Sequence, residues 1–170
     1  MPSRPESGEY NPYLVQYINL VPEGSIVDIL LQQLQDTLEV LADVSEKTAP
    51  YRYESDKWTV KEVIAHISDT ERVMVYRLLS ASRGDTSPLP GFDQNNWIRG
   101  TDFNQIPLDH LLSDFKSVRT ATLSLTRTLS EEAWLRKGTV GTYSTSARAL
   151  AYVIAGHELH HRTILQERYL

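Results

Sequence analysis

The chain has no cysteine in its 170 residues. That absence excludes disulfides, thiolate metal sites and a cysteine nucleophile, and leaves His, Asp and Glu as the side chains able to hold a metal. Long apolar runs are also missing: no stretch approaches the roughly 18 residues a membrane-crossing helix needs. The first residues, Met1 to Glu9, are polar and carry Pro2, Pro5 and Gly8, so they offer no apolar centre for a signal peptide, and a cytoplasmic location is expected. Positive charge is short as well, with 17 Lys and Arg against 22 Asp and Glu for a net charge of −5. Nucleic-acid-binding domains concentrate basic residues on one face. Neither nucleic acid nor a membrane is therefore expected as a partner. No convincing period-2 alternation and no internal repeat is visible, which points to an all-α fold.

A chain of this length is predicted to form one domain with a self-sufficient core. Residues 1–24 read as an arm whose aromatic piece, Tyr10, Tyr13 and Tyr17 with Ile18 and Leu20, lies across a domain formed by residues 25–170. A first helix is predicted from Ser25 to about Val44, with Ile26, Ile29, Leu30, Leu34, Leu38 and Leu41 at helical spacing. Thr59 followed by Glu62 has the form of a capping box and opens a second helix to about Ser82, ended by Gly84. Residues 84–107, containing Pro88, Pro90, Gly91 and Gly100, show little periodicity and read as a long crossover, a length that is uncommon without a topological or functional reason. A third helix spans about Leu108 to Leu129, a short turn runs from Ser130 to Leu135, and a Ser/Thr cluster at Thr142–Ser146 caps a fourth helix to about Arg168. Four long helices with one crossover predict a four-helix bundle, a fold that commonly builds metal sites from inward side chains on facing helices.

His157-Glu158-Leu159-His160-His161 then stands out. At 100° per residue, with His157 at zero, Leu150 lies at about 20°, Ile154 at about 60°, Val153 at about −40° and His161 at about 40°. Both imidazoles therefore sit inside the apolar stripe of the fourth helix. Burying two polar rings one turn apart without partners would cost a few kcal/mol, and a shared cation satisfies both. His66, bordering the apolar face of the second helix beside Val63, Ile67 and Met74, is the candidate third ligand. Three imidazoles leave a coordination position for water or a small-molecule substrate, where a metal could activate water or a thiol.

Other readings stand beside this one. Core histidines can simply be hydrogen-bonded, or can hold a metal that stabilises the bundle and an apolar dimer face without turnover. His160 lies at the edge of the stripe as a surface or supporting residue, and His110 is expected in solvent. Glu71 falls in the apolar sector of the second helix and has two roles open: orienting a ligand imidazole, or pairing with a buried Arg or a tyrosine hydroxyl. Phe92-Asp93-Gln94-Asn95-Asn96-Trp97 in the crossover fits either a pocket lid or turn residues around a buried Trp. His157–His161 also matches H-E-x-x-H, in which Glu158 would be the general base of a zinc peptidase. That match is weak, because only nine residues follow His161, Ile164 occupies the glycine position of the extended motif, and no substrate-holding sheet is predicted.

Trp58-Thr59-Val60-Lys61-Glu62-Val63-Ile64-Ala65-His66 with Asp69 and Glu71, Gly91-Phe92-Asp93 to Trp97, and Gly156-His157-Glu158-Leu159-His160-His161, in that order, resemble the DinB/YfiT-like superfamily. The resemblance runs from about Ile26 to near the end of the chain. It implies an up-down-down-up four-helix bundle, a nickel, zinc or similar divalent ion held by His66, His157 and His161, and a homodimer. It further implies a metal-dependent hydrolase, or a transferase using a low-molecular-weight thiol such as bacillithiol or mycothiol.

Overall fold

The computed structural model describes residues 2–170. After a 3-10 turn at Pro12–Leu14, α1 (Val15–Ile18) forms one helical turn of the N-terminal segment. The first long helix, α2 (Ile26–Val40), starts where the Ser25 hydroxyl accepts the Asp28 N–H. The second, α3 (Val60–Ser82), starts at a complete capping box: the Thr59 hydroxyl accepts from the Glu62 N–H, and the Thr59 N–H donates to the Glu62 carboxylate at 2.7 Å. Gly84 follows at φ +80°, a conformation that favours glycine and closes the helix. Then come α4 (Gln94–Arg99), α5 (Leu108–Thr126), α6 (Glu131–Leu135) and α7 (Ala147–Ile164), whose last residues pass into a π-helical turn, Leu165–Tyr169. Each predicted long helix is present, with ends shifted by a few residues.

Side-chain pairs fix the directions of the four long helices. Gln33 donates to the Ala155 carbonyl and Arg162 meets Asp36, so α2 and α7 are parallel. Lys61 reaches the Ile106 carbonyl just before α5, and Glu71 pairs with Arg119 further along, so α3 and α5 are parallel. His66 meets His157, whereas Trp58, ahead of α3, accepts a hydrogen bond from Tyr169, beyond α7; those two helices are antiparallel. The result is an up-down-down-up four-helix bundle in which α5 and α7 each pack against both α2 and α3. Parallel neighbours need a long return connection. α3 is 23 residues, about 35 Å, long, and the crossover between α3 and α5 brings the chain back along it.

The apolar core has two lobes. One joins α2, α3 and α7 around Leu30, Leu78, Leu150 and Ile154, and the other joins α3 and α5 around Ile64, Ile67, Leu111 and Phe115. A small sheet, which the sequence did not predict, closes one end. β1 (Pro88–Leu89) pairs in parallel with β2 (Lys137–Val140), which pairs antiparallel with β3 (Tyr143–Ser146) across Gly141 at φ +60°. Strands of two and four residues are too short to show an alternation. Ser146 ends the hairpin and caps α7, accepting the Ala149 N–H.

The N-terminal segment is fastened to this frame. Arg4 donates to the carbonyls of Ile18 and Val21 at 2.7 and 2.6 Å. Glu9 pairs with Arg148 and accepts the Ser146 hydroxyl at 2.7 Å. At Gly156 a Cβ would lie 2.0 Å from the Tyr17 carbonyl oxygen, so only glycine lets α1 approach α7 this closely.

Candidate metal centre

His66, His157 and His161 come together between α3 and α7. Each offers a ring nitrogen, and the three nitrogens lie within 4.8 Å of one another. The ring centroids form a near-equilateral triangle with sides of 4.8, 4.7 and 4.6 Å. His157 and His161 owe their places to the i, i+4 spacing on α7, and His66 to the antiparallel register of α3. Its Nε2 is 3.0 Å from the Nε2 of His157. Two nitrogens on one cation, with bonds near 2.1 Å at 90–110°, are about 3.0–3.4 Å apart, so this pair already has the separation of two ligands. The donor set therefore fits a divalent transition metal, and in a chain without thiols it is a nitrogen site.

Burial shapes the electrostatics. His66 and His157 are buried and His161 is half-buried. Desolvation, reinforced by the neighbouring histidines, lowers all three pKa values: His66 to about 4, His161 to about 3, and His157 well below its ordinary value. Neutral rings at neutral pH each keep one unprotonated nitrogen, so ligation needs at most a change of tautomer and no net loss of a proton.

Residues not singled out from their side-chain pattern support these rings. The Thr70 hydroxyl lies 3.4 Å from His66 Nδ1, leaving Nε2 toward the other histidines; its i+4 spacing from His66 was the available signal. The Trp58 ring packs against His66 at 4.7 Å and stacks over His161 at 6.5 Å. Tyr17 of α1 meets His157 and His160 edge-on at 5.6 and 5.7 Å, contacts that no local pattern announces. Beside His161 a cavity of about 280 Å³ is walled by the rings of Trp58, Tyr53 and Tyr169 with Asp56, Lys57 and Asn95 among them, so it reaches the group at His161 through a largely aromatic wall that carries a few polar side chains.

The remaining candidates fall into place. Glu71 does not touch the histidines; it pairs bidentately with Arg119 of α5 at 2.8 and 2.9 Å and accepts the Thr122 hydroxyl at 2.6 Å. Of its two open roles, the structure selects pairing with a buried Arg. Glu158 is 1 % exposed and faces α2, where the Thr37 hydroxyl donates to Oε1 and Arg162 approaches within 3.8 Å, while Oε2 has no hydrogen-bond partner. Burial pushes its carboxyl pKa up. A peptidase base would have to face the cation. His160 is half-exposed against Tyr17 and His161, and His110 is in solvent. In the crossover, Asp93 caps α4 by accepting the N–H groups of Asn95 and Asn96. Trp97 is not the buried residue of the turn reading; it is 45 % exposed beside Phe92, and Ile98 takes the core position.

Comparison with known proteins agrees with this architecture. Two proteins of Oceanobacillus iheyensis, each named as a proposed metal-dependent hydrolase, are similar to the chain. One is 26 % identical over 158 residues, covering 86 % of this chain and 91 % of the relative. The other is 25 % identical over 127 residues, covering 72 % and 71 %. Among solved structures, YfiT from Bacillus subtilis, described as a proposed metal-dependent hydrolase with an unusual four-helix bundle topology, superposes with a TM-score of 0.71 at 17 % identity. That superposition covers 96 % of this chain and 89 % of YfiT. A mycothiol-dependent maleylpyruvate isomerase superposes with a TM-score of 0.70 at 15 % identity, over 86 % of this chain and 61 % of that enzyme. These two likenesses concern the fold. The family profile of the DinB superfamily matches residues 29–165, and the chain belongs to that superfamily.

Proposed function

We propose that this protein is a metal-dependent enzyme in which His66, His157 and His161 hold a nickel or zinc ion that acts on a small-molecule substrate. The observation that carries the reading is the convergence of three neutral imidazoles from two helices, with His66 and His157 already at the nitrogen separation of two ligands on one ion. The names of the Oceanobacillus relatives support metal-dependent hydrolysis, and the fold shared with the mycothiol-dependent isomerase supports a small thiol as the alternative nucleophile. Bound there, a divalent cation would supply Lewis acidity, polarising a substrate carbonyl or lowering the pKa of a water or thiol.

The protein's own residues do the rest. Thr70 fixes the orientation of the His66 ring, and Trp58 and Tyr17 cover the histidines and exclude water from those sides. Lys57 and Asn95, at the mouth beside His161, provide donors for an incoming polar substrate. Protein loaded with nickel or zinc would be assayed against esters, amides and lactones with water alone, and against electrophiles with bacillithiol, mycothiol or cysteine. Turnover that depends on metal and is abolished in His161→Ala supports the reading. Loaded protein that turns over none of these substrates, or turnover surviving loss of the metal, contradicts it.

A further inference from the structure

Arg77 on α3 is a buried cation with no counter-charge. Its exposure is 6 %, yet no carboxylate pairs with it among the described residues. One guanidinium nitrogen donates to the Pro90 carbonyl at 2.6 Å, the other terminal nitrogen reaches only the Met74 sulfur at 3.5 Å, and the Phe92 ring lies 5.8 Å from Cζ. The other two buried arginines each have an acid: Arg119 has Glu71 and Arg148 has Glu9. A guanidinium keeps its charge inside proteins and carries five N–H donors in a rigid fork. Holding it out of water is costly unless an anion accompanies it. Pro90 and Phe92 fix the orientation of this one, and most of its donors have no protein acceptor.

On the Met74 side Arg77 borders a more polar cavity of about 550 Å³, and it also lines a cavity of about 390 Å³ between α3 and the crossover, walled by Val73, Tyr76, Leu89, Phe92 and Trp97. Tyr76 and Trp97 stay 57 and 45 % exposed there. A concave, mainly apolar space with a few placed polar groups is the usual form of a small-molecule site. We propose that this cavity binds a small organic acid, with Arg77 holding its carboxylate in a bidentate pair and Tyr76, Phe92 and Trp97 enclosing an aromatic or branched aliphatic body. A single negative charge is indicated because Asp69 lines the same cavity and would repel a dianion, while the neighbouring Arg72 is already engaged by Asp69 and Asp114. The site is distinct from the three-histidine group: His66 and Arg77 are separated by about 16 Å of helix. It does not rest on the metal assignment.

The test is calorimetric titration of chelator-treated protein, so that no metal can offer the carboxylate a rival contact. Phenylacetate, its neutral isostere phenylacetamide and inorganic phosphate are the probes. The expected result is saturable 1:1 binding of phenylacetate, at least about tenfold weaker binding of the amide and of phosphate, and at least about tenfold loss in Arg77→Gln. Trp97→Ala, at an exposed position, keeps the guanidinium and weakens phenylacetate several-fold; it decides the matter together with the amide comparison should Arg77→Gln fail to fold. No saturable binding, equal binding of acid and amide, phosphate matching phenylacetate, or a folded Arg77→Gln that binds like the wild type overturns the proposal.

Discussion

Glu71 and Arg119 show how little of a residue's role can lie in its own neighbourhood. A carboxylate in the apolar sector of a helix is conspicuous in the sequence, but its partner stands 48 residues away on a different helix. Only the packed bundle shows whether it serves an imidazole or a guanidinium. Removing one partner of a buried pair leaves the other charge stranded, a loss of about 3–5 kcal/mol. Glu71→Ala is accordingly expected to lower the urea-unfolding free energy by that amount, while Glu71→Leu combined with Arg119→Leu costs distinctly less. A double variant as damaged as the single one would show that the ion pair is not the source of the loss. The histidines are the opposite case. Their positions on the apolar stripes were readable because i, i+4 spacing places His157 and His161 by local geometry alone. Thr70 was within reach of the same argument, whereas the contacts of Tyr17 with His157 and of Trp58 with His161 come from the approach of separate segments.

Among the elements, α3 was the most legible, since Thr59 and Glu62 write their capping box within four residues and both of its hydrogen bonds are present. The β1–β2–β3 sheet was invisible because strands this short are held by their surroundings and not by an alternating pattern. Gly156 lies between these extremes. Helix propensity favours alanine over glycine by about 1 kcal/mol in a helix interior, yet an added Cβ would meet the Tyr17 carbonyl at 2.0 Å. Backbone yields less readily than the end of a side chain, and overpacking of this kind costs about 1–3 kcal/mol, so the clash wins. Gly156→Ala is expected to lower the melting temperature and to lift α1 from α7, seen as faster amide hydrogen exchange around Tyr17. A melting temperature equal to or above that of the wild type would show that the contact does not constrain the helix.

Across the whole molecule, the N-terminal segment and the start of α7 are joined through Glu9, Arg148 and Ser146. Burial pushes the Glu9 carboxyl up, but the Arg148 guanidinium, the Glu6 N–H and the Ser146 hydroxyl outweigh it and hold the pKa at about 2 against an ordinary 4.5. A depressed carboxylate pKa stabilises the fold above the unfolded-state value, and that contribution is lost as pH falls from about 4.5 towards about 2. Urea midpoints measured through that window should fall less steeply in Glu9→Gln than in the wild type; parallel slopes would remove Glu9 from the acid response. A four-helix bundle could be expected from helix count and the one long crossover, whereas its up-down-down-up order was implied by the family resemblance alone; the structure shows α3 and α5 running parallel, which is why the return path between them is long. The convergence of α3 on α7 at the histidines is the feature on which the functional reading depends. Elemental analysis of untagged protein, reconstituted with nickel or zinc and desalted, beside His157→Ala/His161→Ala tests it most directly. About one equivalent of metal in the wild type and background in the double variant is the predicted result. Background in both proteins, or equal metal in both, would contradict a three-histidine centre.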